Sequence, residues 1–385
     1  MDCEQRDWPT KDDLADLLIR PKETYEPFFD YLYQCLKQTH GLTIGSIWIA
    51  DLYNQGESAL LNDDILGNDP HWFDHARDVL LMVNTFRAQM RRPIVAIGHS
   101  MGGAQAVAAA HFHPRLFEAA VFIDSPMTMM FSPTIAAMHN FIMSKPETFA
   151  SKDEAVRFVR RHPFFKTWHK DALQRYTDTA FHDGESSLHP AGTVRFKTSP
   201  HAEARSNCRP NLDRLSIDGA LDSIGRYTHP DVHLRSPFAS PFYNPFTREA
   251  YAYLGSLRPP AQFILGKGSK IAPPGETDVR TKFTGTQAGG SGGEDVGNVE
   301  EVVVPGGHFL PVTNPQGTAE AAAGFLAKRV RILTEVEGQF TAAWNKRSLV
   351  EKQRLTREES EMYRSWNGKP WDNRHALPDG GRSKL

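Results

Sequence analysis

The sequence predicts an α/β fold, a mostly parallel sheet with helices packed on both faces. Short apolar runs alternate with amphipathic segments up to about residue 126, and two further apolar runs return after residue 257. The chain is also well supplied for a core: 385 residues, 40% hydrophobic and 23% charged, which excludes a disordered or fibrous class.

In chain order, residues 1–22 are polar, with only a weak strand signal at 17–20. Residues 23–39 set Tyr25, Phe28, Phe29, Leu32 and Leu36 at helical spacing, and Gly41 ends that helix. The run 42–50, closed by Asp51, reads as a buried strand. Residues 71–90 carry Val79, Leu80, Met82, Val83 and Phe86 and predict a second helix. The apolar run 93–97, an alanine-rich helix from 104 to 111 and the run 119–123 ending at Asp124 complete a strand–helix–strand unit. Between 127 and 256 the alternation gives way to an aromatic, proline-punctuated stretch, expected to be a large inserted helical lid. Strands resume at 261–265 and 299–304, around a Gly/Ser-rich segment 285–297 that reads as a flexible loop. A helix near 319–335 closes the core. The expected organisation is thus 1–126 and 257–336 as two parts of one core, 127–256 as the insertion and 337–385 as a charged extension.

Charge and composition exclude several functions. Lys+Arg 44 against Asp+Glu 46 leaves a net charge of −2, with no basic field to recruit nucleic acid or an anionic membrane. No apolar run approaches the roughly 18 residues of a membrane-spanning helix, and residues 1–10 lack the apolar segment of a secretory signal. Cys3, Cys35 and Cys208 are few, odd in number and far apart, which points to a reducing compartment and to neither a disulfide framework nor a zinc site. The histidines of 127–256 (His162, His169, His182, His189, His201) lack the spacing of a helical metal site. No metal or organic cofactor is expected.

The chemistry centres on Gly98-His99-Ser100-Met101-Gly102, a G-x-S-x-G nucleophile elbow set between an apolar strand and an alanine-rich helix. The turn must be so tight that a Cβ at the flanking glycines would clash, and the helix behind it aims its first amides, Met101 foremost, at a developing oxyanion. The elbow points to an α/β-hydrolase fold. Such a serine needs a histidine after the last strand, and 302–309 (VVVPGGHF) offers His308 as the base. The commonest seat for the acid, after the penultimate strand, holds Ser269, which carries no charge to offset an imidazolium and is expected to have no catalytic duty. The alternative seat, after the strand that follows the elbow helix, holds Asp124. Asp278, or an Asp124 that is merely a turn residue, stays open on the residues alone.

The last three residues, Ser383, Lys384 and Leu385, form a peroxisomal import address read by a receptor. The elbow GHSMGG, the IDSP after the next strand, the PGGHF loop and the terminal SKL together resemble a fungal peroxisomal α/β-hydrolase family of secondary metabolism. That group includes the acyl-CoA hydrolase of the mycophenolic acid pathway and hydrolases of host-selective toxin biosynthesis. The resemblance covers about residues 22–385 and implies a Ser-His-Asp triad at Ser100, His308 and Asp124. It further implies a peroxisomal hydrolase of acyl-CoA thioesters, with a bulky lid and, as often in that family, a homodimer. The chain departs from the family ahead of Lys22: residues 1–21 show neither the N-terminal strands nor the loop that supplies a second oxyanion amide. Rival readings are an ester hydrolase or acyl transferase acting on a polyketide intermediate, and a catalytically weakened remnant that serves as a binding protein.

Overall fold

The structure is a computed structural model that describes residues 3–7, 21–67, 69–129, 134–183, 189, 191–210, 242–271 and 275–366. Chain contacts divide it into two units, Met1–Val330 and Arg331–Leu385. The stretch 17–20 and the terminal Ser383, Lys384 and Leu385 lie outside the described residues.

The first unit begins with strand β1 (Cys3–Asp7), helix α1 (Glu26–Cys35) and strand β2 (Ser46–Ala50). β1 runs antiparallel along β2, Cys3 opposite Ala50 and Asp7 opposite Ser46. This corrects the expectation of a strandless N-terminus. Cys-Glu-Gln-Arg-Asp has almost no strand propensity; the ladder offered by the apolar β2 overrides it. Helices α2 (Gly56–Leu61) and α3 (Trp72–Thr85) lead to β3 (Val95–His99), α4 (Met101–Phe112) and β4 (Ala119–Ile123). Among the described residues after β4 come helices α5 (Thr134–Met143), α6 (Lys152–Arg161), α7 (Lys170–Thr179) and α8 (Pro200–Asn207). Helix α9 (Phe246–Leu254), which packs on α4, returns the chain to β5 (Ala261–Gly266), α10 (Glu276–Phe283), β6 (Val299–Val304) and the long α11 (Pro315–Asn345).

Strands β3 to β6 form one parallel sheet in the order β6-β5-β4-β3. Successive residues of β3, β4 and β5 are buried on opposite faces of the sheet. Val95, Ile97, Val121, Ile123 and Ile264 point into a core shared with α1 and the first half of α11, whereas Ala96, Ala120, Phe122 and Phe263 face α3, α4 and α9. Two buried faces explain why β3, β4 and β5 read as continuous apolar runs rather than alternating ones. Each fully buried large side chain contributes about 1.5–3 kcal/mol. Among the described residues β3 ends the sheet, with β4 on one side only. The segment 285–297 is not a loose linker: the amides of Gly285, Gln287 and Ser291 donate to the carbonyls of Leu254, Gly255 and Leu257.

In the second unit, helices α12 (Leu349–Gln353) and α13 (Arg357–Ser365) are each opened by a capping box, Ser348 with Glu351 and Thr356 with Glu359.

Candidate active site

Ser100 sits where β3 turns into α4, at φ 55° and ψ −125°. Two glycines permit that turn. A Cβ on Gly98 would lie 2.5 Å from the Gly102 carbonyl oxygen, and one on Gly103 would lie 1.9 Å from Ser125 Oγ. The second of these stands one place beyond the motif, a constraint the pattern alone does not reveal. Asp124, at the end of the neighbouring β4, also has a positive φ, 44°. Among the described residues these are the two non-glycine residues with positive φ, and each carries about 1–2 kcal/mol of backbone strain. The parallel ladder continues into both, since Ser100 N–H donates to Ile123 O and Asp124 N–H to Ile264 O. Strain is thereby held in register by the sheet.

His308 follows β6 on a glycine loop and joins the two. Its Nε2 lies 2.9 Å from Ser100 Oγ and its Nδ1 lies 2.7 Å from Asp124 Oδ2. A buried carboxylate can only accept, so Nδ1 carries the proton and Nε2 is left as an acceptor facing the serine hydroxyl. The arrangement can therefore take a proton from Ser100 and hold the resulting imidazolium against a negative charge. Asp124 is 1% exposed and accepts two further hydrogen bonds, from Gly266 N–H at 3.1 Å and from Ser269 Oγ–H at 2.5 Å. Burial alone would raise its pKa; the hydrogen bond and charge of His308, then Ser269 and Gly266, outweigh it and hold the carboxyl below its usual range. Its contribution to stability is thus complete above the unfolded value, about 3.9, and is lost as pH falls through the lower folded value.

Ser269, expected to have no catalytic duty, stands within hydrogen-bonding distance of Asp124. It occupies the vacated acid seat and donates to the same Asp124 oxygen that receives His308. Asp278 lies elsewhere, exposed on α10 and paired with Lys282 at 2.9 Å. Two further residues escaped sequence reasoning. His99 Nε2–H donates to the His308 carbonyl at 2.8 Å, and Tyr25 O–H donates to His99 Nδ1 at 3.1 Å. Together they fasten the backbone of the His308 loop to β3. The sequence marks this tie only by the histidine inside the elbow motif.

Ser100 and His308 open on a cleft lined also by Pro21, Gln55, Met101, Tyr176, Phe196 and Phe309, about 770 Å³ of space with its open mouth included. Met101 is the first residue of α4, so its amide is among those left free of helical partners at that end. Pro21, also in the cleft wall, has no N–H to offer an oxyanion. Asp51 lies beside this region as a helix-capping residue. Its Oδ2 accepts from Glu57 N–H, and burial, partly offset by Lys22 at 3.8 Å, pushes it up to about 6. Two of the histidines between 127 and 256 also act as caps: His162 accepts from Phe164 N–H and His169 from Asp171 N–H.

Residues 22–321 match the family described as Alpha/beta hydrolase family. The chain is 33% identical over 315 residues to the type I acyl-CoA thioesterase mpaH of Penicillium roqueforti, a match covering 76% of this chain and 71% of that protein. It is 23% identical over 244 residues to the abhydrolase domain-containing protein AFT2-1 of Alternaria alternata, covering 62% and 85% of the two chains. Among solved structures it resembles the peroxisomal alpha-beta-hydrolase Lpx1 of Saccharomyces cerevisiae, with a TM-score of 0.61 and 20% identity over 90% of this chain and 87% of that one. With an elbow serine, a parallel sheet and a profile match across most of its length, the chain belongs to the alpha/beta hydrolase family, as an enzyme of the hydrolase type.

Proposed function

We propose that the protein hydrolyses acyl-CoA thioesters through Ser100, His308 and Asp124. One observation carries this reading: the unbroken hydrogen-bonded series from Ser100 Oγ through the His308 ring to the buried Asp124, with Ser100 and His308 lining a cleft. The thioesterase name of the Penicillium relative supports the choice of substrate.

In the proposed reaction His308 Nε2 takes the proton of Ser100 as Oγ attacks the thioester carbonyl. The amide of Met101 stabilises the oxyanion. The C–S bond breaks, the imidazolium returns its proton to the departing thiolate, and coenzyme A leaves as the thiol. Water, deprotonated by His308, then attacks the acyl-serine and releases the acid. Asp124 keeps the imidazole in the required tautomer, and Ser269 and Gly266 keep Asp124 in place.

Release of free thiol from a series of acyl-CoAs tests this directly. The expected result is turnover of at least one thioester well above that of an oxygen ester of the same acid. Faster cleavage of oxygen esters throughout the series would move the activity to an esterase, and a folded chain inert to every ester would make it a binding protein.

Ser269→Ala is expected to lower kcat about tenfold while leaving KM nearly unchanged, because one of the donors that orient the buried acid is lost. Ser269→Thr, which keeps the hydroxyl, should recover most of it. Full activity in the alanine variant would show that His308 and Gly266 suffice to hold Asp124.

We also propose a peroxisomal location, supported by the name of the yeast relative and by the Ser383-Lys384-Leu385 tripeptide. A fluorescent protein fused ahead of this chain should collect in peroxisomes, and deleting the tripeptide should leave it diffuse. Peroxisomal signal that survives the deletion would assign the address elsewhere.

A further inference from the structure

The cleft that holds Ser100 also contains an ion pair in its wall. Lys145 lies just beyond α5, with its side chain only 3% exposed, and its Nζ is 2.5 Å from Glu203 Oε2 on α8. The ammonium also sits over two aromatic rings, 5.2 Å from the centre of Phe141 and 5.4 Å from that of Phe196. It has three N–H donors, and among the described residues Glu203 is its one hydrogen-bonding partner. Both Lys145 and Glu203 line the cleft with the nucleophile. A buried charge pair contributes little to stability over an apolar pair of the same volume. A plain alkyl chain pressed against it would strip its remaining solvation and return no hydrogen bond.

We infer that Lys145 and Glu203 form a subsite for a hydroxyl group on the acyl chain. A hydroxyl matches the pair at both ends, accepting from the Lys145 ammonium and donating to the Glu203 carboxylate. The pair is neutral as a whole, so it suits an uncharged oxygen function. It does not suit the phosphates of coenzyme A, whose charge Glu203 would oppose. Phe196, in the same wall, supplies apolar contact for the carbon skeleton. The inference deepens the thioesterase reading and rests on it for the identity of the leaving group alone.

The test compares hexanoyl-, octanoyl- and decanoyl-CoA with their ω-hydroxylated counterparts. Wild-type enzyme is expected to prefer the hydroxylated ester by about tenfold or more in kcat/KM at the length that reaches the pair, the worth of one hydrogen bond to a charged group. In Lys145→Met/Glu203→Leu, which removes both charges together, that preference should fall to about one or below. If this variant does not fold, Lys145→Gln/Glu203→Gln reads the same ratio at nearly constant volume and should lower it. A wild-type ratio near one at every length would overturn the subsite, as would a ratio that the variants leave unchanged. Competition by coenzyme A alone provides a control: weaker inhibition in the variants, with the ratio intact, would put the lysine on the cofactor's phosphates and overturn the inference. Calorimetric binding of the free acids to Ser100→Ala repeats the comparison without turnover. Should no thioester be cleaved, the thioesterase reading falls, while tighter binding of the hydroxy acid, lost in the variants, still decides the subsite.

Discussion

Ser100→Ala is expected to reduce thioester hydrolysis by roughly 10⁴–10⁶-fold and to abolish labelling by a fluorophosphonate probe. In the proposed reaction the serine supplies the attacking oxygen, and no other hydroxyl is placed against His308 Nε2 among the described residues. The substitution tests chemistry rather than folding, because alanine and serine bear a similar strain at φ 55° and the surrounding ladder from Ile123 is untouched. Circular dichroism and melting temperature should therefore match the wild type. Labelling that persists in the variant would place the nucleophile on another serine.

Asp124→Asn is expected to cost about 10⁴-fold in kcat. Asparagine is nearly the same size, so the cavity and the sheet are kept. What changes is the proton. The asparagine amide can donate to His308 Nδ1, which then becomes the acceptor and leaves Nε2 protonated toward Ser100, unable to take its hydrogen. A loss of tenfold or less would show that the histidine is oriented by its backbone tie to His99 rather than by the carboxylate. The measurement is a kcat comparison at neutral pH on purified, folded protein.

The parts of the site that were legible in the sequence are those written as local patterns. The elbow shows because a turn after a strand and before a helix demands small residues at fixed offsets. His308 shows because a glycine loop ends a β-branched run, and Asp124 because a carboxylate closes an apolar one. The contacts of Ser269, His99 and Tyr25 were not legible, since each reaches a partner 74 to 209 residues away. The same holds for the fold. β3, β4 and β5 follow from continuous burial on two faces, whereas β1 has neither propensity nor alternation and exists through pairing with β2. The glycine-rich segment 285–297 looked loose because composition reports flexibility of the free chain, not the three backbone bonds that fasten it to 254–257.

The ends of adjacent parallel strands carry the whole site: Ser100 after β3, Asp124 after β4, Gly266 and Ser269 at and beyond the end of β5, and His308 after β6. Neighbouring strands lie about 4.8 Å apart, so the sheet acts as a ruler on which each role has a discrete slot. The slots of residues 124 and 269 are close enough for their side chains to share a hydrogen bond. A lineage can therefore pass the negative charge from one slot to the next by two codon changes, with the histidine staying where it is. Exchanging the two residues, Asp124→Ser with Ser269→Asp, retraces that step in the opposite direction.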